Sequence, residues 1–382
     1  MIRFIHSADW QIGRSFAGMA DDTAARLRAA RVEVVDRIGQ IAAAEQASFV
    51  LVAGDVYDSE DLSSTTLLAP LERMRRYPQV RWYLLPGNHD PHRPDRIWDR
   101  LLRLGLPENI RPVLTAEPVQ DPAGAWLLPA PLTRRASSAD PTEALDRMPT
   151  PAGGVRIGLA HGSIRSFGEA EADLRAAIAP DRAERAGLSY LALGDWHRCR
   201  QIDQRTWYSG TPEPDRFGSA GELVDGCVVS VSVDGPAALP KAAPVASAQY
   251  QWAALTGELY QTDDIRALDT KIRAIADHPA RLLVRLHAGG SLGLEDFAAF
   301  EVAIDQGLRA ALLDLEINLD ALRVSPSALD FEAIDRSGTA LRQVAEQLGD
   351  RAASSNQAEA ATAARALNML YGFAQLSAPD EN

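Results

Sequence analysis

Eight polar residues, Asp9, Gln11, Asp55, Asn88, His89, His161, Asp195 and His197, carry the chemistry that this sequence can offer. They supply oxygen and imidazole donors and no thiolate, which suits Mn, Fe, Mg or Zn rather than a soft thiolate site. They are too many for one ion. Two divalent ions held about 3.5–4 Å apart need a bridging group, and a carboxylate such as Asp55 can supply it. Such a pair activates a water for in-line attack and neutralises charge on a phosphoryl oxygen. The imidazole of His89 would protonate the leaving oxygen or stabilise the transition state. Its setting is the stretch Leu84-Leu85-Pro86-Gly87-Asn88-His89-Asp90, where an apolar run stops at a Pro-Gly turn. Gly87 there permits either a backbone conformation closed to other residues or a close approach to a neighbour. Asp90 is an acceptor able to orient the imidazole.

The elements that must position these residues repeat one unit. Residues 2–6 read as a buried strand ending in Ser7-Ala8-Asp9-Trp10-Gln11, and Phe49 to Ala53 as a second ending in Gly54-Asp55-Val56-Tyr57-Asp58. Val80 to Leu85 is the third. Val155 to Ala160 ends in His161-Gly162-Ser163, and Tyr190 to Leu193 ends in Gly194-Asp195-Trp196-His197. Between the early strands, Leu27, Ala30, Val34, Ile38 and Ile41 recur at helical spacing, and Ser63 to Arg76 is again helical. Strand, polar loop and helix in alternation predict parallel strands with helical crossovers, an α/β protein whose polar loops share one sheet edge. Thr206-Trp207-Tyr208 and Cys227 to Val231 are expected as strands of a second sheet.

Asp234 to Ser247 is Pro- and Ala-rich and reads as a linker. Past it the pattern predicts a small α+β domain: a helix through Ile265, Leu268, Ile272 and Ile275, a strand over Leu282–Leu286, and a helix through Phe297, Phe300, Ile304 and Leu308. Beyond about Ser327 an Ala-rich helical tail follows, with Leu341, Val344 and Leu348, then Leu367, Leu370 and Phe373, on apolar faces. Such a tail packs on its own protein or docks a partner.

Composition sets outer limits. The 382 residues are 46% hydrophobic and 24% charged, ordinary values for a chain of two or three domains. No apolar run is long enough to span a bilayer, and the N-terminal Met1-Ile2-Arg3-Phe4-Ile5-His6 leads directly into a polar segment unlike a signal peptide. With only Cys199 and Cys227, a disulfide framework is excluded and a reduced cytoplasm is the expected compartment. A net charge of -13 argues against a protein that simply coats nucleic acid, while leaving room for a local basic surface or an acidic metal pit.

Taken in order, Asp9-Trp10-Gln11, Gly54-Asp55-Val56-Tyr57-Asp58, Gly87-Asn88-His89-Asp90, His161-Gly162 and Gly194-Asp195-Trp196-His197 resemble the motifs of the calcineurin-like metallophosphoesterases. His6-Ser7-Ala8-Asp9-Trp10 and Tyr208-Ser209-Gly210-Thr211-Pro212-Glu213 are similar to the branch containing the SbcD nuclease subunit and YhaO-like DNA repair exonucleases. The resemblance implies a two-sheet sandwich flanked by helices, a small α+β capping domain that helps engage DNA, and a C-terminal helical tail. It places the nuclease domain at 1–235, the linker at 236–247, the cap at 248–326 and the tail, as an ATPase-docking segment, at 327–382. It implies a metal-dependent exonuclease or endonuclease acting in DNA double-strand break repair, with Mn2+ as the first candidate ion. Its partners would be DNA, an SbcC-like coiled-coil ATPase and a second copy of the chain, with no membrane. Residue by residue, Asp9 and His197 would hold the first ion, Asn88, His161 and Asp195 the second, and Asp55 would bridge. His89 would be the catalytic imidazole paired with Asp90, and Asp58 would stand behind the ligands.

Two positions depart from that pattern. The first motif is usually Asp-x-His and here ends in Gln11, which removes an imidazole but retains a carbonyl oxygen, a weaker ligand. The last is usually Gly-His-x-His and here begins with Asp195, whose extra negative charge favours a harder ion. These departures are the only support for a non-catalytic scaffold, and the acidic composition would permit a small-molecule phosphodiesterase or phosphatase instead. Outside the motifs, His6 reads as a buried hydrogen-bonding residue, His92, His278 and His287 as ordinary histidines, and Arg134, Arg135 and Arg165 as solvated arginines able to meet phosphate. Trp10 and Trp196 read as packing residues, with base stacking the alternative.

Overall fold

The computed structural model describes all residues except 137–138, 165–176, 336–339, 355 and 378–382; Arg165 therefore lies outside the described residues. The chain forms two units, one of residues 1–215 and 225–250, the other of residues 216–224 and 251–382.

The first unit is a mixed α/β sandwich. Strands Ile2–Ser7, Phe49–Val52, Arg81–Leu84 and Ile110–Pro112 run parallel in one six-stranded sheet. Strands Ala125–Ala130, Val155–His161, Tyr190–Gly194 and Thr206–Tyr208 run parallel in the other, edged by Val119–Gln120 and Arg200–Gln201. The strands are apolar on both faces because each sheet is covered twice. Alternate residues go to different layers: Phe4, Phe49 and Leu51 meet Leu127, Ile157 and Tyr190 between the sheets, whereas Ile5, Val50 and Val52 face the helices. Phe4 stacks on Phe49 with ring centroids 5.1 Å apart and meets Tyr190 edge-on at 5.4 Å. Helix Asp21–Ala44 buries Leu27, Ala30, Val34 and Ile38, the stripe read from spacing. Helix Ser64–Met74 is capped by the Ser63 hydroxyl, which accepts from the Thr66 N–H at 3.2 Å.

Two expectations are corrected here. Strand Cys227–Val233 does not join the second sheet; it pairs antiparallel with Ile2–Ser7 in the first. Its Val229, Val231 and Val233 point into the layer between the sheets, and it covers an edge that the N-terminal strand would otherwise expose. The segment read as a linker is, over Lys241–Ala246, a strand antiparallel to Cys227–Val233 at the end of that sheet. Pro244 is tolerated there because an edge strand needs only half of its ladder bonds. The composition that suggests a linker is thus the composition of an edge.

The second unit carries a four-stranded sheet ordered Leu223–Val224, Gln251–Leu259, Leu282–Leu292, Asp314–Val324, the last three parallel. Ile265, Leu268, Ile272, Phe297, Phe300, Ile304 and Leu308 supply its helical side of the core, as their spacing predicts. Helices Ala328–Ile334, Ala340–Ala352 and Gln357–Ser377 follow. Leu367 and Ala345 are buried with Leu294, while Leu341, Val344, Met369 and Phe373 are exposed. Among the described residues no helix is long and apolar enough to cross a membrane.

Candidate metal centre

The polar loops leave the C-terminal ends of parallel strands in both sheets, and those ends meet. Ile2–Ser7 delivers Asp9 and Gln11, Phe49–Val52 delivers Asp55, and Arg81–Leu84 delivers Asn88 and His89. From the second sheet, Val155–His161 ends on His161 itself and Tyr190–Gly194 precedes Asp195 and His197. The turns are tight enough to force unusual backbone. Of seven non-glycine residues with positive φ among those described, four are site residues: Asp9 at 54°, Gln11 at 45°, Asp55 at 54° and Asp195 at 103°. Such conformations cost about 1–3 kcal/mol each and persist only where surrounding structure enforces them. Backbone bonds from Asp9 N–H to the Gly54 carbonyl (3.1 Å) and from Gln11 N–H to the Asp55 carbonyl (2.9 Å) lock the first two loops together.

Gly87 resolves to the second of its two roles. Its φ is not positive; instead a Cβ at this position would lie 2.1 Å from Asp55 Oδ1 and 2.4 Å from the Asp55 N. The Asn88-His89 turn can therefore press directly onto Asp55, whose Oδ1 accepts from the His89 N–H at 2.9 Å.

His161 is the centre of the donor set. Its ring is wholly buried, and Nδ1 lies 2.8 Å from the Ala53 carbonyl, which makes Nδ1–H the donor and turns Nε2 into the site. Around Nε2 stand Asn88 Oδ1 at 3.0 Å, Asp55 Oδ1 at 3.5 Å and Asp195 Oδ1 at 3.9 Å. Adjacent donors on an octahedral ion with bonds of about 2.1 Å lie about 3 Å apart; Asn88 stands at that spacing from His161 and the two carboxylates stand wider. Asp9, Asp55 and His161 offer ligand atoms within 4.8 Å of one another, all buried. Asp9 accepts the Asp195 N–H on both oxygens, at 3.1 and 3.2 Å. Burial lowers the basicity of His161, but the carboxylates of Asp55, Asp9 and Asp195 outweigh it and raise its pKa to about 9. Burial raises Asp9 to about 6 against the pull of His197 and His161. Excess negative charge in a buried pit is what a cation relieves.

Residues 2–176 match the model of the calcineurin-like phosphoesterase family. The chain is 29% identical over 326 residues to the SbcD component of the SbcCD nuclease of Rhodobacter capsulatus, covering 72% of this chain and 78% of that protein. Among solved structures, TT1561 of Thermus thermophilus aligns with a TM-score of 0.36 at 10% identity, over 55% of this chain and 90% of that one. The chain carries a calcineurin-like phosphoesterase domain over residues 2–176. Its similarity runs to the SbcD type, and divalent metal is the family's cofactor. Asp195 and His197 lie beyond the stretch that the family model matches.

Within this phosphoesterase several site expectations change. Asp90 does not orient His89. Its carboxylate is fully buried and accepts from the Gly87 N–H at 2.7 Å and the Tyr57 N–H at 3.0 Å, so it braces the loop beneath. His89 Nδ1 instead lies 2.9 Å from the Asp58 carbonyl. The Asp58 carboxylate reaches toward Arg14, 3.6 Å away. Gln11 offers no oxygen to the pit: Oε1 accepts from Arg14 Nη1 at 2.8 Å, and Nε2 faces His197 Nε2 at 3.3 Å. Trp10 is buried, its Nε1–H donated to Ser7 Oγ at 2.8 Å, which rules out base stacking at that position. Trp196 is half-buried against the second sheet's outer core.

Four residues that motif reading overlooked complete the phosphoesterase site. Asp215 lies 3.0 Å from His197 Nδ1, Arg14 holds Gln11, Ser163 donates to Asp195 Oδ2 at 2.5 Å, and Thr211 donates to the Asp9 carbonyl at 2.9 Å. Ser163 and Thr211 stand inside or beside quoted motifs. Nothing in the local sequence distinguishes Arg14 or Asp215 from surface charges.

Proposed function

We propose that this phosphoesterase is the nuclease subunit of a DNA-processing complex, hydrolysing DNA phosphodiester bonds as an exonuclease or endonuclease in double-strand break repair. The observation that carries the chemistry is the placement of His89, whose Nε2 lies 3.9 Å from Asp55 Oδ2 on a side chain 42% exposed. It stands beside the donor set and open to a substrate. The similarity to the SbcD component of the SbcCD nuclease carries the choice of DNA. Asp55, Asn88, His161 and Asp195 would hold the ion, for which Mn2+ is the first candidate and Fe, Mg or Zn the alternatives. A bound divalent ion supplies Lewis acidity and a water of lowered pKa. The residues do the rest. The Asp58 carbonyl keeps the Nδ1 proton of His89 in place and leaves Nε2 on the Asp55 side, where a protonated imidazole hands its Nε2 proton to the leaving oxygen. Asp90 and Gly87 hold that turn against Asp55.

The proposal extends to an SbcC-like coiled-coil ATPase, for which exposed Leu341, Val344, Met369 and Phe373 on the tail helices offer an apolar face, to a second copy of the chain, and to a cytoplasmic setting. End-labelled linear duplex DNA with Mn2+ tests the central reading. Wild type should cleave and His89→Ala should fall by about 10^2–10^4-fold. Equal cleavage by both would remove His89 from the mechanism. Turnover of an aryl phosphodiester with no cleavage of DNA would move the substrate to small molecules.

A further inference from the structure

The two halves of the pit differ in polarity. On the His161 side, three side-chain oxygens converge on one imidazole nitrogen, and all of them are acceptors. On the His197 side every group has a matched partner. Arg14 can only donate, so the amide atom facing its Nη1 at 2.8 Å is the Gln11 oxygen. The Gln11 amide N–H then points at His197 Nε2, 3.3 Å away. Asp215 Oδ1 sits 3.0 Å from His197 Nδ1, and Asp215 Oδ2 lies 3.4 Å from Arg14 Nη1, closing a four-membered ring of side chains. An imidazole protonated at Nδ1 satisfies both neighbours at once: it donates to Asp215 and accepts from Gln11. The Nε2 lone pair that would bind an ion is thus engaged by an amide N–H. Gln11 and Asp215 are almost wholly buried, so the ring is built into the pit and not a surface arrangement.

The ring also supplies charge. A guanidinium is a permanent cation and, unlike an ion, brings its own fixed hydrogen-bond directions. Arg14 touches Gln11, Asp215 and Asp58 on the side where a second divalent ion would otherwise neutralise carboxylates.

Resting on the phosphoesterase reading above, we propose that this chain holds a single divalent ion, on Asp55, Asn88, His161 and Asp195, and that the Arg14–Gln11–His197–Asp215 ring occupies the position of the second. Arg14 is then a positioning residue, which acts through Gln11 and His197 to keep that half of the pit closed to metal.

Metal counting tests this on the full chain. After equilibrium dialysis against Mn2+, wild type should retain about one ion per chain and show a mononuclear Mn2+ resonance spectrum. The double variant R14A/Q11H, which removes the guanidinium and restores an imidazole, should take up about two ions and show spin coupling between them. His161→Ala should lose the ion and His197→Ala should keep it. About two spin-coupled ions in wild type would overturn the proposal while leaving the phosphoesterase reading intact. Loss of the ion in His197→Ala with retention in His161→Ala would overturn it as well. No bound ion in wild type would sink the phosphoesterase reading itself. The wild-type count and spectrum decide the matter even where a variant fails to fold.

Discussion

The imidazole of His89 takes its orientation from the backbone of Asp58, whose carbonyl oxygen lies 2.9 Å from Nδ1. A carbonyl only accepts, so the proton resides on Nδ1 and Nε2 is left to exchange protons with a substrate. Because the main chain does this, the Asp58 carboxylate is dispensable for it. Asp58→Ala should retain kcat within about tenfold on an aryl phosphodiester, whereas His89→Ala should lose about 10^2–10^4-fold. Both variants should bind Mn2+ as wild type does. A collapse of kcat in Asp58→Ala comparable to His89→Ala would show that the carboxylate, not the carbonyl, matters.

Asp90 has a structural task instead. With its carboxylate fully buried and accepting two backbone N–H groups, removing it strands both donors away from water. Asp90→Ala should therefore cost about 2–4 kcal/mol of unfolding free energy. Burial already holds the Asp90 carboxyl well above the usual carboxylate range, against the two N–H bonds that pull it down. Asp90→Asn keeps one acceptor oxygen but turns its NH2 toward the other backbone N–H, so it should cost about 1–2 kcal/mol, less than Ala. Urea unfolding of the three proteins measures both values. Equal losses for Ala and Asn would mean that charge, not hydrogen-bond acceptance, holds the turn.

These contrasts show what local sequence can and cannot carry. Strand ends are legible because a buried parallel strand is a run such as Phe49-Val50-Leu51-Val52, and the polar residue after it must emerge at one edge. Asp9, Asp55, Asn88, His161 and Asp195 are found that way. The pairing of side chains across loops is not legible. His197 meets Gln11 across 186 positions, and Asp215 and Arg14 become partners only once both sheets have assembled. Asp90 follows His89 in the chain, yet its carboxylate faces the opposite way, toward the Tyr57 backbone. The sheet assignment of Cys227–Val233 fails for the same reason: its alternation reveals a strand but not which edge it will cover.

Gly87 should be intolerant of any side chain, for a reason that separates stability from metal binding. A Cβ would meet Asp55 at 2.1 Å from Oδ1 and 2.4 Å from the backbone N, and a backbone atom cannot swing aside. Gly87→Ala must move either the Asn88-His89 turn or Asp55, and either movement breaks the donor set around His161. Unfolding free energy should drop by about 1–3 kcal/mol, as for overpacking elsewhere. The larger effect should be on Mn2+ affinity, which isothermal titration on the folded variant reports. Wild-type affinity in Gly87→Ala would show that the contact can relax without disturbing Asp55.

His6 gives the phosphoesterase unit a dependence on pH that is independent of metal. Its ring is wholly buried behind the site, with the Tyr190 hydroxyl 3.0 Å from Nδ1 and the Leu193 carbonyl 3.2 Å from Nε2. The Tyr190 O–H donates to Nδ1 and Nε2–H donates to Leu193, an arrangement that requires a neutral imidazole. Burial lowers its pKa from 6.5 to about 3, the Leu193 carbonyl offsetting only part. Between those values the unfolded chain binds a proton that the folded chain refuses, so stability is complete above pH 6.5 and is lost as pH falls toward about 3. The full loss would approach about 5 kcal/mol, with about 2 kcal/mol gone by pH about 5. His6→Gln has no such proton to take up, so its unfolding free energy should fall less steeply between pH about 7 and about 5. Parallel slopes for the two proteins would mean that the His6 ring accepts its proton in the folded chain.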